Sequence, residues 1–451
     1  MNECKVFVPY GSVGMIIPQD AFDRGLALKP DCIATDAGST DSGPYYLGKG
    51  VCKYSEGAIK RCVRQLVVGA DKISVPLLIG SCGTSGTDSG VDHMEKLIKE
   101  ICAEEGITGK KIVKIYTEQS ASLLAERFAE GKIHPLKNAP AITRDTFAEC
   151  SHIVALGGAE PFIKALQEGA DIVICGRCTD TAIISAMPLM RGCNPGAAWH
   201  GAKTAECGAG CTNKWGGTGV VLTVDETGFT IEASAEDAAC SPYSVSAHML
   251  YENSNPFVLY EPGVKLDVTK ATYTQLEGGR VRVEGSQVIP MPYTMKLEGS
   301  GPVGYQTIAI VGVRDRQVLA DPIGWIDALS KNTQRKLDAF GFDKAEYSYD
   351  LRAFGYNAVS DETIEPGSYV PREVGIMLVV TATTQTLATE IAKSFNPELL
   401  HFNLHSGEMP TFAFPFSPNE IEKGLLYEFK LNHVVDTQSP DELVRYSSST
   451  T

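Results

Sequence analysis

DIVICGRCTDTAIISAM, residues 171–187, contains the unit that recurs through the first half of this 451-residue chain. The apolar stretch Asp171–Cys175 has the composition of a buried strand, the loop Gly176–Asp180 is polar, and Asp180–Met187 has the length and apolar content of a buried helix. Strands that alternate with helices predict a parallel sheet with flanking helices.

The same pattern appears several times before residue 171. The other predicted strands are Lys5–Pro9, Asp31–Thr35, Val75–Ile79, Ile112–Tyr116 and His152–Leu156. Helices are predicted at Gln19–Leu28, Ser55–Gly69, Val91–Glu105, Ser120–Glu130, Arg144–Cys150 and Pro161–Glu168. Ligands of such sheets bind at the carboxyl ends of the strands, where this chain carries its Gly, Ser, Thr and Asp residues. The pattern therefore favours an enzyme or another small-molecule binder.

The pattern changes twice along the chain and predicts three domains: 1–218, an α/β domain with the candidate active site; 219–300, a β-rich segment; and 301–451, a ferredoxin-like α+β module. All 13 cysteines lie between Cys4 and Cys240, which supports a boundary near residues 220–240. The last domain has the order β-α-β-β-α. Its Pro- and Phe-rich tail begins at Gly407, and Ser447–Thr451 is expected to be a loose end.

The composition fits a globular protein, with 43% hydrophobic and 21% charged residues. The net charge of −15 argues against nucleic acid or an anionic membrane as the main partner. The chain has no leader-like start and no run of about 18 apolar residues, so we expect a cytoplasmic protein without a membrane span. The odd number of cysteines favours reduced thiols.

The loop DAGSTDSGPYYLG, residues 36–48, is the densest candidate site. Asp36 and Asp41 could divide acid and base roles if their environments differ, and Ser39 and Thr40 add hydroxyl groups that could bind a substrate. The same residue types also form tight turns and helix caps.

Three further segments supply candidate residues. In the loop GSCGTSGTDSG, residues 80–90, the backbone at Gly83, Thr84 and Ser85 could hold an anion, although the loop matches no named nucleotide motif. Arg177 could clamp a carboxylate or form a structural ion pair. Asp180 could act as an acid or base or cap the next helix. In a small-residue loop, Glu206 could be a partly desolvated general acid or a solvated carboxylate.

The cysteines allow two further interpretations, a cysteine nucleophile and a zinc site. Cys82 follows a strand and could be a nucleophile or a small buried thiol. A zinc site would draw on two cysteine pairs and a histidine, namely Cys175, Cys178, Cys207, Cys211 and His200. The second pair lacks the usual spacing, so the sequence predicts no metal ligand. It identifies no cofactor, and the absence of a nicotinamide fingerprint disfavours hydride transfer.

Three stretches carry a resemblance to a known family: GGAEPFIKALQEGADIVICGRCTDTA (157–182), AECGAG (205–210) and LYENSNPFVLYEPGVKLDVTKATYTQLEGGRVRVEG (250–285). Over most of residues 1–290 the chain resembles the acyclic terpene utilisation (AtuA-type) family. Arg177 and Asp180 fall on the family's GRxxD pattern and Glu206 on its ECG segment. The loop at 36–48 departs from the terpenoid branch. The resemblance implies catabolism of a carboxylate or its acyl-CoA ester.

The leading hypothesis is a catabolic lyase or isomerase of the hydratase/dehydratase type. Its substrate would be a small carboxylic acid or an acyl-CoA ester, transformed by acid/base catalysis through Asp36, Asp41, Asp180 or Glu206. The alternative is a non-catalytic binding or scaffold subunit that completes a site with a small partner protein. The C-terminal module resembles small modules that accompany the family, so such a partner could dock on the Phe/Pro-rich tail. We also expect a homo-oligomer.

Overall fold

The computed structural model describes residues 2–360, 362–403 and 412–451. The chain divides into two compact units, Met1–Gly301 with Phe429–Thr451, and Pro302–Glu428. In the described ranges, no helix is both long enough and apolar enough to cross a membrane.

The first unit contains most of the strands. They are β1 (Cys4–Val8), β2 (Cys32–Asp36), β3 (Leu77–Gly80), β4 (Lys111–Tyr116), β5 (Ile133–Pro135), β6 (His152–Ala155), β7 (Ile172–Cys175), β8 (Val220–Val224), β9 (Gly228–Ala233), β10 (Val258–Glu261), β11 (Val264–Asp267), β12 (Thr272–Leu276), β13 (Arg280–Glu284) and β14 (Gln287–Pro290). The chain passes between the units along β15 (Thr294–Val313) and β19 (Ile421–Asp436), and β20 (Arg445–Thr450) ends it.

The helices of the first unit connect these strands. They are α1 (Gln19–Ala27), α2 (Pro44–Lys49), α3 (Glu56–Ile73), α4 (Asp88–Glu105), α5 (Ala121–Ala129), α6 (Glu160–Gln167), α7 (Asp180–Met190), α8 (Pro195–Ala205) and α9 (Pro242–Ala247). Short 3-10 turns lie at Thr40–Ser42, Arg144–Phe147, Gly208–Cys211, His248–Leu250 and Glu277–Gly279.

The predicted α/β class is confirmed. Within the described ranges, the first unit is built on a ten-stranded mixed sheet in the order β12-β13-β9-β8-β1-β2-β3-β7-β4-β20. The strands from β1 to β4 in this order are mutually parallel, and the outer strands are antiparallel. Strands β8, β9, β12 and β13 of the segment 219–300 continue this sheet. The division of the chain into three domains stays a prediction.

Both faces of the parallel strands are buried. On β1, Val6 and Val8 belong to one apolar cluster and Phe7 to another. The first cluster contains side chains from α7 and α8, and the second contains side chains from α3 and α4. Burial on both faces explains why the parallel strands appear in the sequence as short continuous apolar runs rather than as alternating patterns.

The second unit has the predicted β-α-β-β-α order. Its elements are the second half of β15, α10 (Arg316–Ala320), α11 (Pro322–Phe340), β16 (Tyr347–Phe354), β17 (Val374–Ala382), α12 (Gln385–His401) and β18 (Phe412–Ala413). The strand order β16-β17-β15, all antiparallel, is that of a ferredoxin-like module. The predicted irregular tail from Gly407 lies partly outside the described residues, and the chain from Ile421 to Asp436 forms the long strand β19.

Two expectations from the sequence are wrong. The strand at His152 does not join the parallel sheet, because β6 pairs antiparallel with β15. The end of the chain is not loose, since β20 pairs with β4 along its whole length. Arg445 also bonds Asp88 at 2.6 Å, and the hydroxyl of Ser449 donates to Glu95 at 2.5 Å. A run of serines and threonines has no apolar alternation, so its strand partner could not be inferred.

Candidate active site

A cavity of about 320 Å³ lies in the first unit where the segments after β1, β2, β3 and β7 meet. Its lining includes Ser12, Asp36, Asp41, Thr84, Asp180 and Glu252. The carboxyl ends of parallel strands lie at one edge of a sheet, so loops distant in sequence converge there. A larger apolar groove of about 760 Å³ lies in the second unit, but the candidate acid and base residues surround the smaller cavity.

Only part of the predicted residue set meets at this cavity. The lining residues from that set are Asp36, Ser39, Asp41, Thr84 and Asp180. The others lie outside the lining: Thr40, Gly83, Ser85, Arg177 and Glu206. Glu206 is the immediate neighbour of Cys207, which does line the cavity.

Asp36 ends β2 and is 5% exposed. Its Oδ2 accepts a hydrogen bond from the backbone N–H of Gly38 at 2.8 Å. Its Oδ1 is buried and has no hydrogen-bond partner among the described residues. Burial, together with the negative charge of Asp180, raises the pKa of Asp36 well above its usual value, although Arg177 opposes the rise. The surroundings of Asp36 therefore favour its protonated form.

Asp180 starts α7, directly after the N-cap Thr179. Burial raises the pKa of Asp180 to about 6, and the nearby Arg177 limits the rise. The amino end of a helix favours a negative charge, so the ionised form is accessible near neutral pH. Two carboxyl groups at one cavity thus differ in how firmly they hold a proton, which is the usual arrangement of an acid and a base.

Asp41 has a more ordinary environment. It is exposed, and its carboxylate accepts a hydrogen bond from the Ser39 hydroxyl at 2.7 Å, within the turn that Ser39 caps. The turn function of this pair is therefore visible in the structure, whereas a catalytic role for Asp41 stays a prediction.

The loop after β3 approaches the loop after β2 very closely. A Cβ atom on Gly38 would lie 2.2 Å from Cα of Thr84, so only glycine fits at that position. Thr84 has a φ of +75°, a conformation that non-glycine residues seldom adopt, and its hydroxyl accepts a hydrogen bond from the Lys53 backbone N–H at 2.9 Å. Such strain often occurs at functional sites. The contact fixes one wall of the cavity.

Arg177 is 7% exposed and its guanidinium already has partners. Its Nε donates to Oε2 of Glu298 at 3.0 Å, and an Nη donates to the Ser81 hydroxyl at 3.1 Å. The hydroxyl of Thr40 donates to the same Glu298 oxygen at 3.0 Å. Arg177 therefore connects the loop after β7 with the loop after β3 and, through Glu298, with the loop after β2. Its predicted role as an anion ligand stays a prediction.

Glu298 was not identified from the sequence, although it is a single acidic residue inside the apolar strand β15. Burial alone would raise its pKa, but the charges of Arg177 and Lys296 outweigh burial and lower the pKa of Glu298 to about 2. Glu298 is therefore the anionic partner at the centre of the network that holds the loops.

Glu206 follows α8 and forms a buried ion pair with Lys203 at 2.5 Å. Burial disfavours the charge of Lys203, but the carboxylate outweighs burial and raises the pKa of the ammonium group. Lys203 also donates to the Tyr251 carbonyl at 2.9 Å. The predicted general-acid role of Glu206 has no direct contact with the cavity to support it.

The alternatives based on cysteine have little support. Cys82 is fully buried, and burial raises the pKa of its thiol well above the usual value. His200, proposed as a zinc ligand, bonds Ser286 at 2.7 Å and Tyr273 at 3.3 Å instead. Among the described residues, the predicted cysteine pairs do not form a ligand cluster with His200.

The fold and the cavity define an α/β protein with an acidic cavity at the carboxyl ends of its parallel strands. A family model described as acyclic terpene utilisation family protein AtuA matches residues 70–192 and 218–417, and the chain belongs to this family. The predicted resemblance is confirmed, and the match extends beyond residue 290 into the second unit. No curated protein and no solved structure gave a match. The family's name connects it with the catabolism of acyclic terpenes.

Proposed function

We propose that this protein is a catabolic lyase or isomerase of the hydratase/dehydratase type that acts on an acyl-CoA ester. The observation that carries the proposal is the pair of carboxyl groups at one cavity, Asp36 with a strongly raised pKa and Asp180 with a pKa of about 6. In a dehydration, ionised Asp180 removes the proton next to the thioester carbonyl. Protonated Asp36 gives its proton to the departing hydroxyl group, which leaves as water while the carbon–carbon double bond forms.

The charges around the cavity favour the thioester over the free acid. Asp36, Asp41, Asp180 and Glu252 bring carboxyl groups to the lining, and Lys53 brings a cation that is exposed. A carboxylate at the reacting end of a substrate would be repelled by ionised neighbours. A thioester carbonyl is neutral and avoids this repulsion.

Apolar side chains at the cavity suit an acyl chain. Trp215 lines the cavity and is 78% exposed, and Met15, also in the lining, is 49% exposed. Large apolar side chains that remain exposed beside a cavity commonly mark a binding surface. A branched hydrocarbon chain, of the kind acyclic terpenes contain, would cover them.

Exchange of substrate protons with solvent tests this proposal without knowledge of the full reaction. Straight and branched 3-hydroxyacyl-CoA esters and the matching free acids are incubated with the protein in D₂O, and deuterium next to the carbonyl is measured by mass spectrometry. We expect exchange with a subset of the esters, lost in Asp180→Asn and retained in Asp20→Asn, which alters an exposed carboxylate on α1. Exchange in the free acids alone, or unchanged exchange in Asp180→Asn, would contradict the proposal.

The exposure of Trp215 also favours the second candidate, a subunit that completes its site with a small partner protein. In that case a partner, or a second copy of the chain, covers the tryptophan. Chromatography with light scattering reports the oligomeric state of the purified chain. A family-associated partner that restores exchange to an otherwise inactive chain would support this candidate, and full activity of the isolated monomer would exclude it.

A further inference from the structure

Three side chains outside the acid–base pair converge beside the cavity. Glu206, Cys207 and His248 each offer one ligand atom, and the three atoms lie within 4.8 Å of one another. Glu206 and Cys207 follow α8, while His248 begins the 3-10 turn after α9. The three residues combine an oxygen, a sulfur and a nitrogen donor.

The His248 imidazole is held in place and retains an unused nitrogen. It is 4% exposed, and its ring stacks on Tyr251 with centroids 5.3 Å apart and planes 13° apart. The ring bonds the backbone of Gly210, where a Cβ atom would lie 2.8 Å from Cε1. Its Nε2 is buried and has no partner within the described ranges. Metal-binding histidines commonly use one nitrogen for such an orienting bond and the other for the metal.

The Glu206 carboxylate is oriented by a second residue in the same way. Lys203 donates to its Oε1 and to the Tyr251 carbonyl, which leaves Oε2 for another partner. Hydrogen bonds of this kind fix the carboxylate ligands of metal sites.

The surrounding charges favour a cation. Asp180 and Glu252 line the same cavity as Cys207, while Lys203, the nearby cation, is already paired with Glu206. A bound divalent ion would compensate this excess of acidic groups and would stabilise the thiolate form of Cys207.

We propose that Glu206, Cys207 and His248 form a binding site for a divalent d-block cation of the Zn²⁺ class. A mixed set of carboxylate, thiolate and imidazole suits such ions better than Mg²⁺ or Ca²⁺. Three protein ligands leave a fourth coordination position, as in catalytic zinc sites. Cys207 lines the cavity, so that position is available to a substrate oxygen or water. This site does not depend on the acid–base proposal.

Cobalt substitution tests the site with a spectroscopic readout. The full-length chain is stripped with a chelator, dialysed against Co²⁺ and measured for bound metal and for a thiolate-to-cobalt charge-transfer band. We expect about one Co²⁺ per chain and the band in the wild type. Cys207→Ser should lose the band and His248→Gln should weaken binding at least tenfold. Cys150→Ser and His134→Gln, which alter a cysteine and a histidine outside the cluster, should behave as wild type.

A measurement on the wild type alone covers the case in which the variants fail to fold. X-ray absorption of the zinc-loaded protein should show one sulfur at about 2.3 Å with nitrogen or oxygen ligands at about 2.0–2.2 Å. Metal content below about 0.2 per chain after dialysis against zinc or cobalt would overturn the proposal. So would a zinc shell without sulfur, one with several sulfurs, or a cobalt band that persists in a folded Cys207→Ser variant.

Discussion

Asp36 and Asp180 line one cavity but hold their protons with different strength. Asp36 is enclosed at the end of β2 and its pKa is raised further by the charge of Asp180, whereas Asp180 lies at the amino end of α7 and has a pKa of about 6. The surroundings of Asp36 therefore favour its protonated form more strongly than those of Asp180 do, which is the difference that the proposed acid–base pair requires.

Replacing either carboxyl group should remove activity and leave the fold intact. Asp180→Asn removes the base and Asp36→Asn removes the acid, so we expect a loss of about 10²–10⁴-fold in kcat for each. Asp41→Asn should change kcat less than tenfold if Asp41 serves the turn. Circular dichroism checks that both variants are folded. If kcat then falls as much in Asp41→Asn as in Asp180→Asn, the catalytic role belongs to the exposed loop.

The raised pKa of Asp180 predicts a stability cost that depends on pH. Because the folded-state value of about 6 exceeds the unfolded value, the folded state binds more protons between about pH 4 and pH 6, and stability falls as pH rises through this window. Asp180→Asn lacks this titration. The Tm of Asp180→Asn minus the Tm of the wild type should therefore increase from pH 4 to pH 6 and stay constant above pH 7. A difference that is independent of pH would show that the pKa of Asp180 is unshifted.

Two of the Arg–Glu pairs of the first unit, one buried and one partly exposed, should respond very differently to the same substitution. In the Arg177–Glu298 pair both side chains are buried, so Glu298→Gln leaves a buried guanidinium poorly paired and should cost about 3–5 kcal/mol. In the Arg282–Glu284 pair the glutamate is half exposed, so Glu284→Gln should cost about 0–1 kcal/mol. Urea denaturation measures both. Equal costs would mean that the Arg177 network does not hold the loops.

The last strand should contribute to stability. Truncation after Val444 removes the whole ladder between β20 and β4, together with the Arg445–Asp88 ion pair. We expect a lower Tm, by roughly 2–4 °C for each kcal/mol lost. The single substitution Arg445→Ala should have a smaller effect, since it removes only an exposed pair. An unchanged Tm after truncation would show that β20 adds no stability, as the sequence-based prediction of a loose end implies.

Much of the fold could be predicted because its elements carry local signals. The parallel strands are continuous apolar runs, and α1 and α6 lie within one residue of their predicted bounds. Helix α8 was missed, since PGAAWHGAKTA is rich in small residues and has weak periodicity. Strand β20 was missed because its partner, β4, is far away in the sequence.

The site could be predicted where its residues lie in the segments at the carboxyl ends of parallel strands. Asp36 ends β2 and Asp180 follows the loop after β7, and such strand ends meet at one edge of the sheet. Cys207 and Glu252 reach the cavity through the packing of α8 and the turn after α9, which no local pattern encodes. Arg177 follows a strand as well, but its partner Glu298 comes from β15, so its engagement in an ion pair was visible only in three dimensions.

The most direct measurement of the central claim is the infrared carbonyl band of protonated carboxylic acids, recorded between pH 5 and pH 8. The account predicts that one component of the wild-type band is absent in Asp36→Asn, and that a second component, absent in Asp180→Asn, disappears near pH 6, at a lower pH than the first. If the Asp36 component disappeared at or below the pH at which the Asp180 component disappears, Asp36 would be the stronger acid of the two and the acid–base assignment would be wrong.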